Sequence, residues 1–541
     1  MKKIIVLNLL MLFPALLVMA NGNRKAIDLL SFDLTEPAQK TLLQNIQSNN
    51  LSQPELAEAH YYLGDIYYAE KVYDSAREHY EKGLEADPSF FQNSVGLAKI
   101  ILLTDRAKGE DMLKTLANGK NKKNIELHYA IAKAYFDAKI PDKAAAYIQT
   151  AKKINSKYAP LYALEGDILN GEKEVGKACS MYEQAIYFDA AYKPTYIKYA
   201  RAYAQLNMSL AIDMLQKLAE IDPTSFLVYR EIGDVYYKNN QYTKAAQAYE
   251  KYMQNSDFMT SDYPKYATIL FFNGDLNRSI EIAEQGLKEE PDNFILNRIL
   301  MYNYCEQKRF EEGMKIANKF MNRKDNDFIA LDHIFYARLL QENKNVNEAI
   351  SQYETALSLD SSRVIIYKEL ADLYEDMGQH DNAIRNYDLY MTKNEKQVMI
   401  SDYFALGKMY YNAATTLIAN ASDNEDNKQA IADYANEADK LFLFVAEKAP
   451  DSYLGNFWQA RINSVLDPET ESGLAKPYYE SAINLIDKNN PKDAKNLIEC
   501  YSYLGYYYYL HNNKEKSKEF WNKITDIDPN NKTALDALKS M

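Results

Sequence analysis

Glycine and proline are scarce in this chain, with 18 and 15 among 541 residues. Turns are therefore few, and abundant Ala, Leu, Lys and Glu favour helix throughout. Cysteine is scarcer still. Cys179, Cys305 and Cys500 form an odd set, each more than a hundred residues from the next. Such a set excludes a disulfide framework, and the three read as small buried hydrophobes within helices. Positive charge is in deficit, with a net charge of −13 and no basic run beyond "KNKKN" at Lys120–Asn124. A general nucleic-acid binder needs clustered Lys and Arg to displace counterions from phosphates. Nucleic acid is therefore excluded as a partner class.

Catalytic patterns are missing too. The six histidines never pair at i, i+4, and no G-x-S-x-G elbow occurs. "GDILNGEK", Gly166–Lys173, lacks the closing Gly-Lys-Ser/Thr of a phosphate loop. "SDNEDNK", from Ser422, has calcium-loop composition without calcium-loop spacing. The residues offer no catalytic group, no metal site and no cofactor site, and the chain reads as a non-enzyme.

Long apolar runs are confined to the start, "MKKIIVLNLLMLFPALLVMANGNRK". Lys2 and Lys3 precede an apolar stretch, Ile4–Met19, that Asn8 and Pro14 interrupt. It is short for a bilayer span of about 20 residues. Val18-Met19-Ala20 suits a signal peptidase. Residues 1–20 thus read as a cleaved signal peptide, with retention as an anchor the alternative. No later segment is apolar enough to span a membrane.

Tyrosine is what the chain has in excess, 46 residues. It recurs in a sentence written many times over, as in "YYLGDIYYAEKVYDSAREHYEKGLEADP" from Tyr61 and "YREIGDVYYKNNQYTKAAQAYEKYM" from Tyr229. Unit starts fall at 57, 91, 125, 159 and 193, 34 residues apart, then at 226, 260 and 294, and at about 330, 364, 400, 453 and 498. Position eight of the unit is small: Gly64, Ala98, Ala132, Gly166, Ala200, Gly233. Position twenty-four is aromatic: Tyr80, Tyr182, Tyr249, Tyr353, Tyr387, Trp521. Pro88, Pro223, Pro291, Pro450 and Pro529 follow the second half of their units and stop a helix there. Small residues let two antiparallel helices approach, and the aromatics fill the space between one pair and the next. The units starting at 91 and 294 rest on spacing, since Glu110 and Met301 stand where small residues are expected.

A 34-residue period with these positions resembles the tetratricopeptide repeat over roughly residues 57–529. The resemblance implies an all-α, right-handed superhelical solenoid of about thirteen tandem antiparallel helix pairs. Residues 21–56 are expected to form a capping region. The array is expected to run over 57–395 and then over 400–530, the second stretch carrying a long-helix insertion near 412–439, with a capping helix at 531–541. In this family the first helix of each pair lines a groove. Carried onto this sequence, the lining is Tyr61, Asp65, Tyr68, Tyr129, Lys133 and Phe136, then Ile197, Arg201, Arg230, Asp234 and Tyr237, and near the end Phe457, Arg461, Tyr506 and Tyr509. The chaperone-tail clamp of some relatives needs Lys and Asn where Tyr61 and Asp65 stand. The chain resembles large exported proteins of this family in Gram-negative bacteria. The expected function is a periplasmic scaffold that binds protein segments of envelope or outer-membrane complexes. The alternative is a polysaccharide-handling or substrate-binding component that uses exposed aromatics.

Overall fold

The computed structural model describes residues 22–324, 327–420, 425–488 and 490–541. The leader at 1–20 lies outside them, as do residues 422–424 of the acidic segment. Among the described residues there are 29 α-helices and no strand. They form two compact units that divide between Ile299 and Leu300, within a helix.

The first unit opens with α1 (Arg24–Ser31) and α2 (Thr35–Gln47). Pairs follow: α3 (Gln53–Ala69) with α4 (Tyr73–Ala86), α5 (Phe91–Thr104) with α6 (Arg106–Leu116), and α7 (Ile125–Asp137) with α8 (Pro141–Ile154). Next come α9 (Ala159–Gly171) with α10 (Val175–Phe188), α11 (Pro194–Tyr203) with α12 (Met208–Ile221), α13 (Leu227–Lys238) with α14 (Tyr242–Met253), and α15 (Tyr263–Phe272) with α16 (Leu276–Glu289). Helix α17 (Phe294–Glu306) contains the division. The second unit continues with α18 (Phe310–Met321), then α19 (Ala330–Glu342) with α20 (Val346–Leu359), and α21 (Ile365–Asp376) with α22 (His380–Lys393). A lengthened pair follows, α23 (Ile400–Asn420) with α24 (Glu425–Lys448). The chain closes with α25 (Leu454–Leu466) and α26 (Lys476–Leu485), α27 (Ala494–Leu510) and α28 (Lys514–Ile527), and α29 (Lys532–Ser540). From α3/α4 to α27/α28 the described helices make thirteen consecutive pairs, as the period implies.

The small position works through one contact. A Cβ at Gly64 would lie 2.4 Å from the Tyr80 ring, and one at Gly166 or Gly233 as near Tyr182 or Tyr249. A Cβ at Gly96 of the following pair would likewise lie 2.4 Å from the Tyr80 ring. The ring is therefore clamped between two bare backbones, one in its own pair and one in the next. All three tyrosines are essentially inaccessible. Each hydroxyl donates to the aspartate beside the glycine, Tyr80 to Asp65 (2.7 Å), Tyr182 to Asp167 (3.0 Å) and Tyr249 to Asp234 (2.8 Å). Burying a ring of this size is a large apolar gain, and the bonded hydroxyl avoids the cost of an unpaired polar group.

The turn within the pairs is equally regular. Lys71, Lys139, Lys173, Asn240, Gly274, Lys308, Lys344, Gly378 and Asn512 all adopt positive φ, at the fifteenth position of their units. The next amide then bonds back five residues, as Val72 N–H to Tyr67 O and Gln241 N–H to Tyr236 O, both 2.9 Å. This is a Schellman closure, which satisfies carbonyls left over at the helix end. The pair at 91 departs from it, because only Asp105 separates α5 from α6. The shorter turn moves the register by one residue. Gly109, not Glu110, is buried against α5, where a Cβ would meet Leu102 N at 2.8 Å. Glu110 instead faces outward, between Arg106 (3.0 Å) and Lys143 (2.9 Å).

The long pair α23/α24 packs along its length and buries Ala414, Ala435, Ala438 and Phe442. The connection after α25 is organised by Asp467, which accepts from the amides of Ser472, Gly473 and Leu474 (3.2, 2.7 and 3.2 Å). The cysteines are all buried, and burial pushes the Cys179 thiol up to about 11.

In the first pair, His60 Nδ1 and His79 Nδ1 lie 2.9 Å apart. Burial, then His79 and Lys82, lower the His60 pKa to about 4. The unfolded chain binds that proton below about 6.5, so it takes up more protons than the folded one. Stability should fall as pH drops from about 6.5 to 4 and then lose no more through this group. Melting temperatures across that window would check it, with His60→Asn flattening the curve. The glycine contact predicts a second result. Gly166→Ala should cost about 1–3 kcal/mol in denaturant unfolding. Gly176→Ala, where nothing lies within 4 Å, should cost nothing.

Candidate interaction surface

The first helices of successive pairs run side by side and present their ninth positions as a ladder: Asp65, Lys99, Lys133, Asp167, Arg201, Asp234. Each finds an opposite charge inside the chain, most often from a neighbouring unit. Asp65 takes Lys99 (2.6 Å) and Lys133 (3.3 Å), and Asp137 takes Lys99 (3.3 Å) and Lys133 (2.8 Å). Lys198 pairs with Asp167, and Glu231 with Arg201 (2.7 Å). Asp234 takes Lys265 at 3.4 Å, and Asp262 takes Arg230 at 2.7 Å. In the second unit Lys368 meets Asp402 (2.9 Å), and Arg461 meets Glu499 through two bonds (2.8 and 2.6 Å).

The quartet of Asp65, Lys99, Lys133 and Asp137 joins three successive units. The Lys99 side chain is 4% exposed, and its ammonium sits 4.2 Å from the Tyr68 ring centroid. Burial alone would raise the Asp65 pKa. Lys133 and Lys99, with hydrogen bonds from Lys99 and Tyr80, outweigh it and hold the carboxyl well below the usual carboxylate range. The two acids and two bases balance, which is how so many charges persist away from water.

The predicted lining is brought together in part. Tyr61, Asp65, Tyr68, Tyr129, Lys133 and Phe136 all lie on α3 and α7, and Asp65 bonds Lys133 directly. All six charged residues of the predicted set, Asp65, Lys133, Arg201, Arg230, Asp234 and Arg461, have ionic partners inside the chain. Their charge is spent on joining one unit to the next. Two aromatics are withdrawn from the surface: Tyr68 is buried under Lys99, and Phe457 is 2% exposed among Tyr453, Tyr479 and the Arg461 guanidinium. Tyr61, Tyr129, Phe136 and Tyr237 are half-buried. Tyr506 and Tyr509 stand out at 43% exposed each, one turn apart on α27.

Sequence reasoning missed Lys99, Asp137 and the aspartate-bound tyrosine hydroxyls. The signal was present: Lys99 is 34 residues from both Asp65 and Lys133, and "GD" recurs at Gly64-Asp65, Gly166-Asp167 and Gly233-Asp234. Among the described residues no three His, Cys, Asp or Glu side chains gather as a metal-holding group, and no helix is long and apolar enough to cross a membrane.

Stacked helix pairs with an internally paired first-helix face define a helical-repeat interaction scaffold. The tetratricopeptide repeat family model matches residues 57–90. The same small–aromatic contact recurs in later pairs, as an array of such repeats requires. No curated protein matches it. Solved structures similar to it include the C-terminal part of a repeat-containing protein from Cytophaga hutchinsonii, with 26% identity over 51% of this chain and 99% of that one and a TM-score of 0.42. A tetratricopeptide repeat protein from Parabacteroides merdae is 17% identical over 46% of this chain and 98% of that one, TM-score 0.34. PilF of Pseudomonas aeruginosa is 18% identical over 45% and 96%, TM-score 0.28.

Asp65→Asn should cost about 3–5 kcal/mol, because it removes the carboxylate that pairs the buried Lys99 ammonium at 2.6 Å. Denaturant unfolding of the variant and of Lys82→Gln, whose partner Glu78 is exposed, would separate this buried network from a surface pair, which is worth at most about 1 kcal/mol.

Proposed function

We propose that the chain is an exported, non-catalytic scaffold of a bacterial envelope that holds segments of partner proteins. A tetratricopeptide fold supports protein interaction in general. Export rests on the leader pattern of Lys2, Lys3 and Ile4–Met19. The observation that carries the reading is the treatment of aromatics on the first helices. Six of the eight in the predicted lining are packed or half-packed, yet Tyr506 and Tyr509 stay open beside Leu510, which is 37% exposed. Exposed aromatic clusters of this kind anchor protein interfaces, where a rigid ring gains much area at small entropic cost.

The test is cross-linked capture from envelope extract by the whole chain and by a Tyr506→Ala/Tyr509→Ala variant. One stoichiometric protein partner should be recovered by the first and at least about tenfold less by the second, since central anchors carry 2 kcal/mol or more. Unchanged melting of the variant would show that folding is spared. Selective binding in a glycan screen, lost in the same variant, would replace the scaffold reading with polysaccharide handling.

A further inference from the structure

The α1–α2 hairpin does more than cover the first pair. Asn23 is fully buried, and its Nδ2 donates to Glu55 O (2.8 Å) and to Glu58 (3.1 Å), which ties the hairpin's start to α3. From there α1 reaches units far along the sequence. Lys25 pairs with Asp257 at 3.1 Å, and Asp28 lies 3.6 Å from Lys193. Asp33 accepts from Arg201 Nη1, and Arg201 Nη2 donates to Phe32 O at 2.8 Å. Three charges of one short helix and its end thus meet three opposite charges from the fifth and sixth units. The order is directional, a base first and two acids after it. Leu29 and Phe32, at 7% and 4% exposed, are buried between the two acids.

The receiving cations do not depend on α1. Lys193 is also held by Asp222, and Arg201 by the two bonds it donates to Glu231 at 3.0 and 2.7 Å. Both carboxylates belong to the units themselves, so the cations keep their places when α1 leaves. The ionic hold on α1 is weak. Lys25, Asp28 and Asp33 are 60, 43 and 79% exposed at the side chain, and exposed ion pairs contribute little. A helix of eight residues has little stability of its own.

We propose that α1 is a displaceable occupant of a recognition face centred on Lys193 and Arg201. The partner that face takes is a short amphipathic protein helix with a basic start, carboxylates about one and two turns on, and a leucine or aromatic residue between them. This rests on the scaffold reading and names its ligand chemistry. Because the native occupant blocks the face, the affinity seen from outside is reduced by the fraction of molecules in which α1 is released.

The test uses the full chain and a labelled peptide of residues 22–34. Asp28→Asn/Asp33→Asn alters two exposed side chains and should leave the melting curve unchanged. It should speed amide exchange in 24–31 and bind the peptide about tenfold more tightly than the parent, as the occupied fraction falls. Adding Arg201→Gln to that variant should abolish the gain. A peptide carrying Asp28→Asn and Asp33→Asn should not bind. Unchanged exchange in 24–31, equal binding of the substituted peptide, or a dimer with exchanged α1 segments and no peptide binding would each overturn the proposal. If the peptide fails while capture through Tyr506 and Tyr509 succeeds, this inference falls and the scaffold reading stands. If the peptide binds while that capture fails, the face is confirmed and the envelope partner is lost.

Discussion

A tyrosine ring packed against a bare glycine backbone is the contact on which the molecule depends. It recurs at Tyr80 on Gly64, Tyr182 on Gly166 and Tyr249 on Gly233. The glycine admits the ring, the ring fills the gap between pairs, and its hydroxyl is spoken for by the neighbouring aspartate. Where the aromatic changes, the rule survives: Gly407 receives Phe442 and Gly505 receives Trp521. No single pair can enclose such a ring alone, so burial is completed only by stacking.

The aspartates tie this packing to electrostatics. Asp65 receives the Tyr80 hydroxyl and also two lysines, one of them from the next unit. Core contact and inter-unit ladder therefore meet in one carboxylate. This bears on function, since charges consumed in joining units are poor at seizing a ligand by net charge. What the first-helix face retains is shape, half-buried aromatic edges and the few groups with bonding capacity left over. Arg201 is the clearest of these: its guanidinium has donors enough for Glu231, Asp33 and the Phe32 carbonyl together.

The turns show how a regular array tolerates irregular sequence. Most pairs close with a left-handed residue at one fixed place, occupied by Lys, Asn or Gly. Lysine in that region is disfavoured locally, and the recovered carbonyl hydrogen bonds hold it there. Where the turn loses residues, as at Asp105, the second helix slides by one position, and Gly109 inherits the work that the period assigns to Glu110.

The period, the small and aromatic positions and the prolines determined the helix pairs, their number and their order, because those features report local helix and nearest-neighbour packing. The fate of the charged lining was legible in principle, since Asp65, Lys99 and Lys133 keep the same spacing as the glycines. Which of them pair, and which stay open, was not. A lysine at a groove position is solvated or buried according to whether a carboxylate from another unit comes within 4 Å, and only stacking sets that distance. The same holds for the leading segment. Its sequence marks a helix at the end of an array. That the helix crosses to Lys193 and Arg201, more than 160 residues away, was decided by the tertiary arrangement, which alone brings those units beside the start of the chain.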